Sequence, residues 1–393
     1  MRASALFLML LVSLLAGCAG QPPRTATPGD SANADTRSDA DLGSFEGFSQ
    51  ALEQSLNEKD SSLFSERVDT HAFARRSLAS LGLRAVKTST VNTYAGVLQK
   101  ALKSRYKENF AQVKSARFIR LMPGETSDPD EAVSLVRIRP EDGGINYWKV
   151  YLHRVNGRVS IVDWFSYSLG DLASRSLGSF VLQAGLAAMK PDMPGADAIK
   201  AYLAAAQSKD PRKQLDAYEQ LPAPLKKNSL LMFAHAQTAM KVSDEEYRNA
   251  LSELAPLYRE KDDYALMLVD YYLFNDDYDR AQQALDTVAE NIGQDAGLDS
   301  LHAGIALQNQ RYNRAIAYAR DGIQRDASYE DNYWVLLDAL VYSHNYADAV
   351  LVLNILEQGF DYRFDSRQMA TLEGYEDFSR SDAFNSWRSA SAH

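Results

Sequence analysis

A five-residue pattern occurs three times in the C-terminal half of the chain, and its spacing decides how that half folds. The copies are Asp277-Tyr278-Asp279-Arg280-Ala281, Arg311-Tyr312-Asn313-Arg314-Ala315 and Asn345-Tyr346-Ala347-Asp348-Ala349. The tyrosines lie 34 residues apart in each step, and so do the alanines that end each copy. A fixed period of this length is typical of stacked helix pairs, in which a small residue lets the second helix approach the first. The sequence therefore predicts an all-α repeat array here.

The repeated pattern resembles the tetratricopeptide repeat (TPR), whose unit is a helix pair with a small residue in its second helix. Four residues after the alanines, the buried face continues with Leu285, Ala319 and Leu353. The resemblance implies three units over residues 262–359. A weaker copy of the signature surrounds Tyr247, and residues 195–222 are Ala-rich and helical in pattern. We therefore predict a TPR-like α-solenoid over residues 195–360.

The TPR resemblance also implies a groove lined by the first helix of each pair. Carrying the family's groove positions over residue by residue selects Asp263, Asp270, Asp331, Trp334 and Asp338. Four carboxylates and one aromatic side chain predict an acidic groove that takes a basic segment of another protein. The alternative is an ordinary solvated helix face, on which acidic residues are common.

The chain leaves the 34-residue period after the third unit. Residues 361–393 are predicted to cap the end of the solenoid, because a repeat array otherwise exposes a core face there. Phe378, Phe384 and Trp387 are the aromatic residues suited to this role. The alternative is that these three side chains form a patch that binds a partner.

The formal charge of -10 over 393 residues is unevenly distributed. Residues 244–393 contain 12 Lys and Arg against 28 Asp and Glu, whereas residues 44–170 contain 18 against 14. The acidity therefore belongs to the predicted solenoid, which suggests different contacts for the two parts. The overall negative charge argues against binding of nucleic acid, or of an anionic membrane surface, by the whole molecule.

Residues 44–170 predict an α+β domain of helices followed by a four-stranded antiparallel sheet. Helical spacing over residues 86–110 gives way to alternating apolar and polar residues. The predicted strands are residues 116–121, 132–139, 146–154 and 158–167. Asn156-Gly157 predicts a tight hairpin, because both residues tolerate positive φ. A helix over residues 171–189, within a bridging segment 171–194, then leads to the solenoid.

Helices followed by an antiparallel meander resemble the cone-shaped fold of the NTF2-like superfamily. The resemblance implies a curved sheet around a pocket, and the superfamily includes isomerase-like enzymes, lipid carriers and non-catalytic binding modules. The candidate catalytic residue is Asp163, a lone carboxylate in an apolar strand, where burial would raise its pKa and suit it to act as a base. Strict alternation leaves its face undecided. The alternative is a structural or outward-facing Asp.

The N-terminus predicts an export signal followed by a lipid anchor. An apolar run from Ala5 to Leu15 has the length of a signal-peptide core and is too short to span a bilayer. It ends in Leu15-Ala16-Gly17-Cys18, which resembles the bacterial lipobox, and Cys18 is the only cysteine in the chain. The resemblance implies a signal peptide over residues 1–17, acylation of Cys18 and, with Ala19 following, attachment to the outer membrane facing the periplasm. Residues 19–43 are polar and predict a flexible tether from Cys18 onward (18–43).

Catalytic and nucleotide-binding motifs do not occur in the sequence, so we predict a non-enzymatic protein without a cofactor. The six histidines lie at least 42 residues apart, and no local metal site is expected, although distant residues can converge in space. The sequence favours a lipid-anchored periplasmic scaffold that binds an envelope protein or peptide, with no nucleic acid partner. A carrier of a lipid or small apolar ligand in the N-terminal domain is the alternative, and an NTF2-like enzyme using Asp163 is the third hypothesis.

Overall fold

The structure, a computed structural model, describes residues 41–141, 143–208, 210–258 and 265–390. The predicted signal peptide, Cys18 and nearly all of the tether lie outside these ranges. The described residues divide into two compact units, 41–271 and 272–390, whereas the sequence predicted boundaries at residues 170 and 194. None of the described helices is both long enough and apolar enough to cross a membrane.

The first unit begins with helices that precede a five-stranded sheet. A short 3₁₀ helix (Asp41–Gly43) leads into α1 (Phe45–Asn57), α2 (Ser62–Arg67), α3 (Thr70–Ser80) and α4 (Thr88–Ala111). The strands are β1 (Val113–Pro123), β2 (Glu131–Pro140), β3 (Asn146–Val155), β4 (Arg158–Ser166) and β5 (Asp171–Leu172). Each strand pairs antiparallel with the next in chain order. The α+β prediction is confirmed, and the two-residue β5 is a fifth strand that periodicity did not reveal.

The β3–β4 hairpin forms as predicted at Asn156-Gly157. Val155 pairs with Arg158, and both turn residues have positive φ, 51° at Asn156 and 74° at Gly157. Two residues in the left-handed region match the right-handed twist of the flanking strands. The dipeptide therefore sets the register of β3 and β4 next to the turn.

One face of the sheet packs on the helices through a cluster of aromatic rings. Phe64 of α2 lies 4.5 Å from Tyr106 of α4 and 5.3 Å from Trp164 of β4, measured between ring centroids. Phe73 of α3 stacks on Trp164 at 5.1 Å. These rings belong to one buried cluster that also includes Phe110 and residues of β2, β3 and β4. The helices and the sheet therefore form a single hydrophobic core.

The segment after the sheet departs from the single bridging helix that the sequence predicted. It begins as β5, continues as a π-helical turn (Ser174–Gly178) and becomes α-helical only at α5 (Ser179–Met189). The remaining helices of the unit are α6 (Ala196–Gln207), α7 (Pro211–Glu219), α8 (Ala223–Lys226), α9 (Ser229–Met240) and α10 (Asp244–Tyr258). Ser229 Oγ donates to Asp171 Oδ2 (2.9 Å), which joins the start of α9 to β5.

The second unit is helical. Helix α11 (Ala265–Phe274) contains the boundary between the units, and it is followed by α12 (Tyr278–Ile292), α13 (Ala296–Gln308), α14 (Tyr312–Arg325), α15 (Asp331–Tyr342), α16 (Tyr346–Phe360), α17 (Ser366–Met369), α18 (Glu376–Arg380) and α19 (Asp382–Ala390). The three repeated tyrosines, Tyr278, Tyr312 and Tyr346, each begin a helix. The repeated alanines Ala281, Ala315 and Ala349 are buried.

The same turn precedes each repeated tyrosine. Asp276, Gln310 and His344 have φ between 54° and 58°, in the left-handed region. The next residue in each turn donates its N–H to a carbonyl five residues earlier, at 2.9 Å for Asp277 and 2.8 Å for both Arg311 and Asn345. This is the Schellman arrangement, which satisfies the last carbonyls of the preceding helix. The 34-residue period therefore corresponds to helix pairs, and the turn between the two helices of each pair has the same geometry.

Candidate functional sites

Two of the residues selected for the groove are buried in the second unit. Trp334 and Asp338 of α15 are each 1% exposed. The Trp334 ring contacts Tyr362 at 4.9 Å and Phe364 at 5.7 Å, both in the segment after α16. That segment folds back over α15, so the prediction that Trp334 and Asp338 face a peptide is wrong.

Asp338 is a core carboxylate that is bound by a tyrosine. Tyr375, which precedes α18, donates its hydroxyl to Asp338 Oδ1. The second oxygen, Oδ2, has no hydrogen-bond partner among the described residues. Burial raises the pKa of Asp338 to about 7, against the opposing effect of the Tyr375 hydrogen bond. The carboxyl group therefore lies inside a hydrophobic core, where its charge affects the stability of the fold.

Of the other three groove residues, the structure describes two. Asp270 of α11 is half-buried and accepts a hydrogen bond from the Tyr247 hydroxyl (2.7 Å), while burial raises its pKa to about 6. Asp331 is half-buried at the start of α15. Asp263 lies outside the described residues. Within the second unit, Trp334 and Asp338 are therefore buried and Asp331 is half-buried.

The C-terminal aromatic residues are part of the hydrophobic core. Phe378, Phe384 and Trp387 are buried in the same cluster as α15 and α16. Phe378 lies 5.5 Å from Tyr346, one of the repeated tyrosines, and 5.0 Å from Phe384. Their burial excludes the alternative of an exposed aromatic patch. The three side chains instead pack over the last helix pair.

Asp163 is buried, and hydrogen bonds surround its carboxylate. Oδ1 accepts from the backbone N–H groups of Trp164 (2.9 Å) and Ser174 (3.1 Å), and Oδ2 accepts from Ser174 Oγ (2.5 Å). The Arg76 guanidinium lies 3.9 Å from Oδ2. Burial raises the pKa of Asp163 to about 6, and these hydrogen bonds and Arg76 oppose the rise. The carboxylate ties β4 to the π-helical turn, which is the geometry of a structural residue.

The face of Asp163 is set by an irregularity in the sheet. The register pairs Tyr151 with Asp163 but Leu152 with Ile161, so one residue of β4 has no partner in β3. A bulge of this kind breaks strict alternation. Ile161 and Trp164 consequently both belong to the core cluster, although alternation placed them on opposite faces.

The space that the carrier hypothesis assigns to a ligand contains side chains. Phe64, Phe73, Tyr106 and Trp164 contact one another between the helices and the sheet. A core of interlocked rings stabilises the fold by removing large apolar surfaces from water. This arrangement does not favour a lipid or small apolar ligand at that position.

Sequence reasoning missed one group of residues with metal-binding chemistry. Glu219, His235 and Glu253 lie on α7, α9 and α10, and one potential ligand atom from each lies within 4.8 Å of the others. The three residues are 16 and 18 positions apart, which matches no recognisable metal motif. They meet only after the three helices that carry them have packed together. Only the isolated His235 on a largely apolar helix hinted at the group.

Comparison with protein-family models finds no match for this chain, and comparison with curated proteins finds no significant match. The resemblances to lipobox proteins, TPR repeats and the NTF2-like superfamily therefore stay predictions that depend on the residues quoted for them.

Proposed function

We propose that the chain is a lipid-anchored periplasmic scaffold whose helical repeats bind another protein of the cell envelope. The observation that carries the proposal is the threefold recurrence of one helix-pair junction, with a left-handed residue, the same carbonyl-capping bond and a helix that starts at tyrosine. Arrays of identical helix pairs present extended surfaces, which suits them to hold protein segments. In its more specific form, the proposal is that these helix pairs are TPR units.

The location in the proposal depends on the N-terminal sequence. The apolar run before Leu15-Ala16-Gly17-Cys18, the single cysteine and the polar stretch that follows support export, acylation at Cys18 and a tether. A Cys18→Ala variant should lose acylation and leave the outer-membrane fraction. Retention of the variant in that fraction would contradict the anchor.

The surface that we assign to the partner lies on α16, because Trp334 and Asp338 on α15 are buried. Leu351 and Ile355 are one helical turn apart and are 59% and 44% exposed. They belong to a unit in which residues 272–393 contain 20 Asp and Glu against 9 Lys and Arg. An apolar pair on an acidic unit fits a partner segment that combines apolar side chains with Lys or Arg.

Photo-crosslinking in intact cells tests this surface. A photoreactive residue at position 351 should give one discrete crosslinked protein, and Ile355→Glu should abolish that product. Leu203 of α6 is also exposed, at 38%, and Leu203→Glu is the matched control that should leave the product unchanged. A product that persists in Ile355→Glu, or that disappears equally in Leu203→Glu, would reject the α16 surface.

A further inference from the structure

Three side chains from three helices converge in the first unit at a place with no role in the proposed scaffold function. Glu219 ends α7, His235 lies in the middle of α9, and Glu253 lies in the second half of α10. The two glutamates are exposed and His235 is half-buried, so solvent and ions reach the group from outside. One imidazole and two carboxylates are the kinds of ligand that bind divalent transition metals in proteins.

The imidazole of His235 is held in place, but one of its nitrogen atoms is unsatisfied. Its ring stacks on Tyr218 with 4.0 Å between centroids and an interplanar angle of 11°. Nδ1 is buried and has no hydrogen-bond partner among the described residues. A buried polar atom without a partner is costly, and in native proteins a bound ion or an ordered water commonly satisfies such an atom. This observation is independent of the proximity of the two glutamates.

The charges around the group also favour a cation. Glu219 and Glu253 bring two carboxylates to one point, where a bound cation would reduce their mutual repulsion. In the structure, the Lys226 ammonium group is the cation beside Glu219, and its Nζ atom lies 2.6 Å from the Glu219 carboxylate.

We propose that Glu219, His235 and Glu253 bind a divalent transition-metal ion of the Zn²⁺ class, with water completing its coordination. Metal–ligand bonds of about 2.1 Å place tetrahedral ligand atoms about 3.4 Å apart. The three ligand atoms now lie within 4.8 Å of one another, so each pair must approach by about 1.4 Å at most. Rotation of the two exposed glutamate side chains provides this movement. Lys226 must leave Glu219 when the metal enters. The ion would then join α7, α9 and α10 at one point.

The experiment is equilibrium dialysis of the purified full chain against buffered Zn²⁺, with bound metal counted by mass spectrometry. The wild-type chain should bind one Zn²⁺ at this site, and Glu253→Gln and His235→Gln should each weaken that binding at least tenfold. Glu245→Gln, on the exposed start of the same α10, and His71→Gln, at an exposed position of α3, are the matched controls and should bind as the wild type does. Glu253 is exposed, so its variant keeps the test valid even if His235→Gln does not fold.

Lys226 provides a prediction of opposite sign. Lys226→Met removes the ammonium group that competes for Glu219, so it should tighten Zn²⁺ binding several-fold. Zn²⁺ should also raise the melting temperature of the wild-type chain and leave that of Glu253→Gln unchanged, because a ligand stabilises only the fold that binds it. Absence of stoichiometric Zn²⁺ binding, equal affinity in Glu253→Gln, or weaker affinity in Lys226→Met would each overturn the site. None of these results depends on the partner of the proposed scaffold.

Discussion

Gly178 shows how one residue sets the packing of the first unit. It ends the π-helical turn, and its carbonyl accepts a hydrogen bond from the Tyr94 hydroxyl of α4. A Cβ atom added at Gly178 would lie 2.1 Å from Ser77 Oγ and 2.8 Å from Ser77 Cβ, in α3. The backbone of Gly178 is helical (φ -58°), so an L side chain would meet no conformational strain there. The requirement for glycine is therefore purely steric.

The Gly178→Ala variant should be less stable than the wild type by about 1–3 kcal/mol, the usual cost of overpacking a core. Urea denaturation followed by circular dichroism measures the difference. The matched control is Gly185→Ala in α5, where an added Cβ meets nothing within 4 Å. That control should gain up to about 1 kcal/mol, because Ala favours helix over Gly. Equal stability of the two variants would contradict the steric role of Gly178.

At the scale of elements, a buried amide joins three helices of the second unit. Asn332 of α15 donates from Nδ2 to the carbonyl of Ala296 at the start of α13 (3.0 Å). The side chain of Asn332 also lies against Gly322 of α14, where an added Cβ would be 2.4 Å from both terminal atoms of the amide. The close approach of α14 to α15 therefore depends on glycine, because a larger residue would displace the Asn332 amide.

The Gly322→Ala variant should lose about 2–4 kcal/mol, because the added methyl group displaces a fully buried amide and breaks its hydrogen bond. Thermal denaturation of the full chain measures the loss. Gly359→Ala in α16 is the control from the same unit, since an added Cβ there meets nothing within 4 Å. A melting temperature for Gly322→Ala equal to that of Gly359→Ala would show that α14 adjusts without cost.

The elements that the sequence predicted are those specified by local chemistry. The repeated Tyr and Ala, the Asn156-Gly157 turn and the alternation in β1 to β4 each act within a few residues, so they could be identified without the fold. The burial of Trp334 and Asp338 could not, because it depends on residues 362–387 folding back onto α15. The face of Asp163 was hidden by a bulge that leaves no sequence signal. The Glu219, His235 and Glu253 group requires three helices to assemble first.

At the scale of the whole molecule, buried and half-buried carboxylates make stability depend on pH. Burial raises the pKa of Asp163 and Asp270 to about 6 and that of Asp338 to about 7, from an ordinary value of 3.8. At pH values between 3.8 and these raised pKa values, the three carboxyl groups keep their protons in the folded chain but have released them in the unfolded chain. The free energy of unfolding therefore falls as pH rises through this window, by about 1.4 kcal/mol per pH unit for each such group. These three groups should make the folded chain more stable at pH 5 than at pH 8, whereas the pKa values of His235 and His302, which burial lowers, act in the opposite direction.

Asp338→Asn tests the largest of these contributions. The amide matches the carboxyl group in shape, can accept the Tyr375 hydrogen bond, and carries no charge at any pH in this range. At pH 5, Asp338 is protonated in the folded state but ionised in the unfolded chain, so the variant should already be the more stable by about 1–2 kcal/mol. By pH 8 the wild type holds a buried carboxylate, so this advantage should have grown to about 4 kcal/mol, the full pKa shift. Melting temperatures measured at half-unit steps from pH 5 to pH 8 should thus fall less steeply for the variant.

Asp377→Asn, at a 71% exposed side chain of the same unit, is the control and should keep the wild-type slope. Parallel curves for wild type and Asp338→Asn would mean that Asp338 is ionised throughout this range.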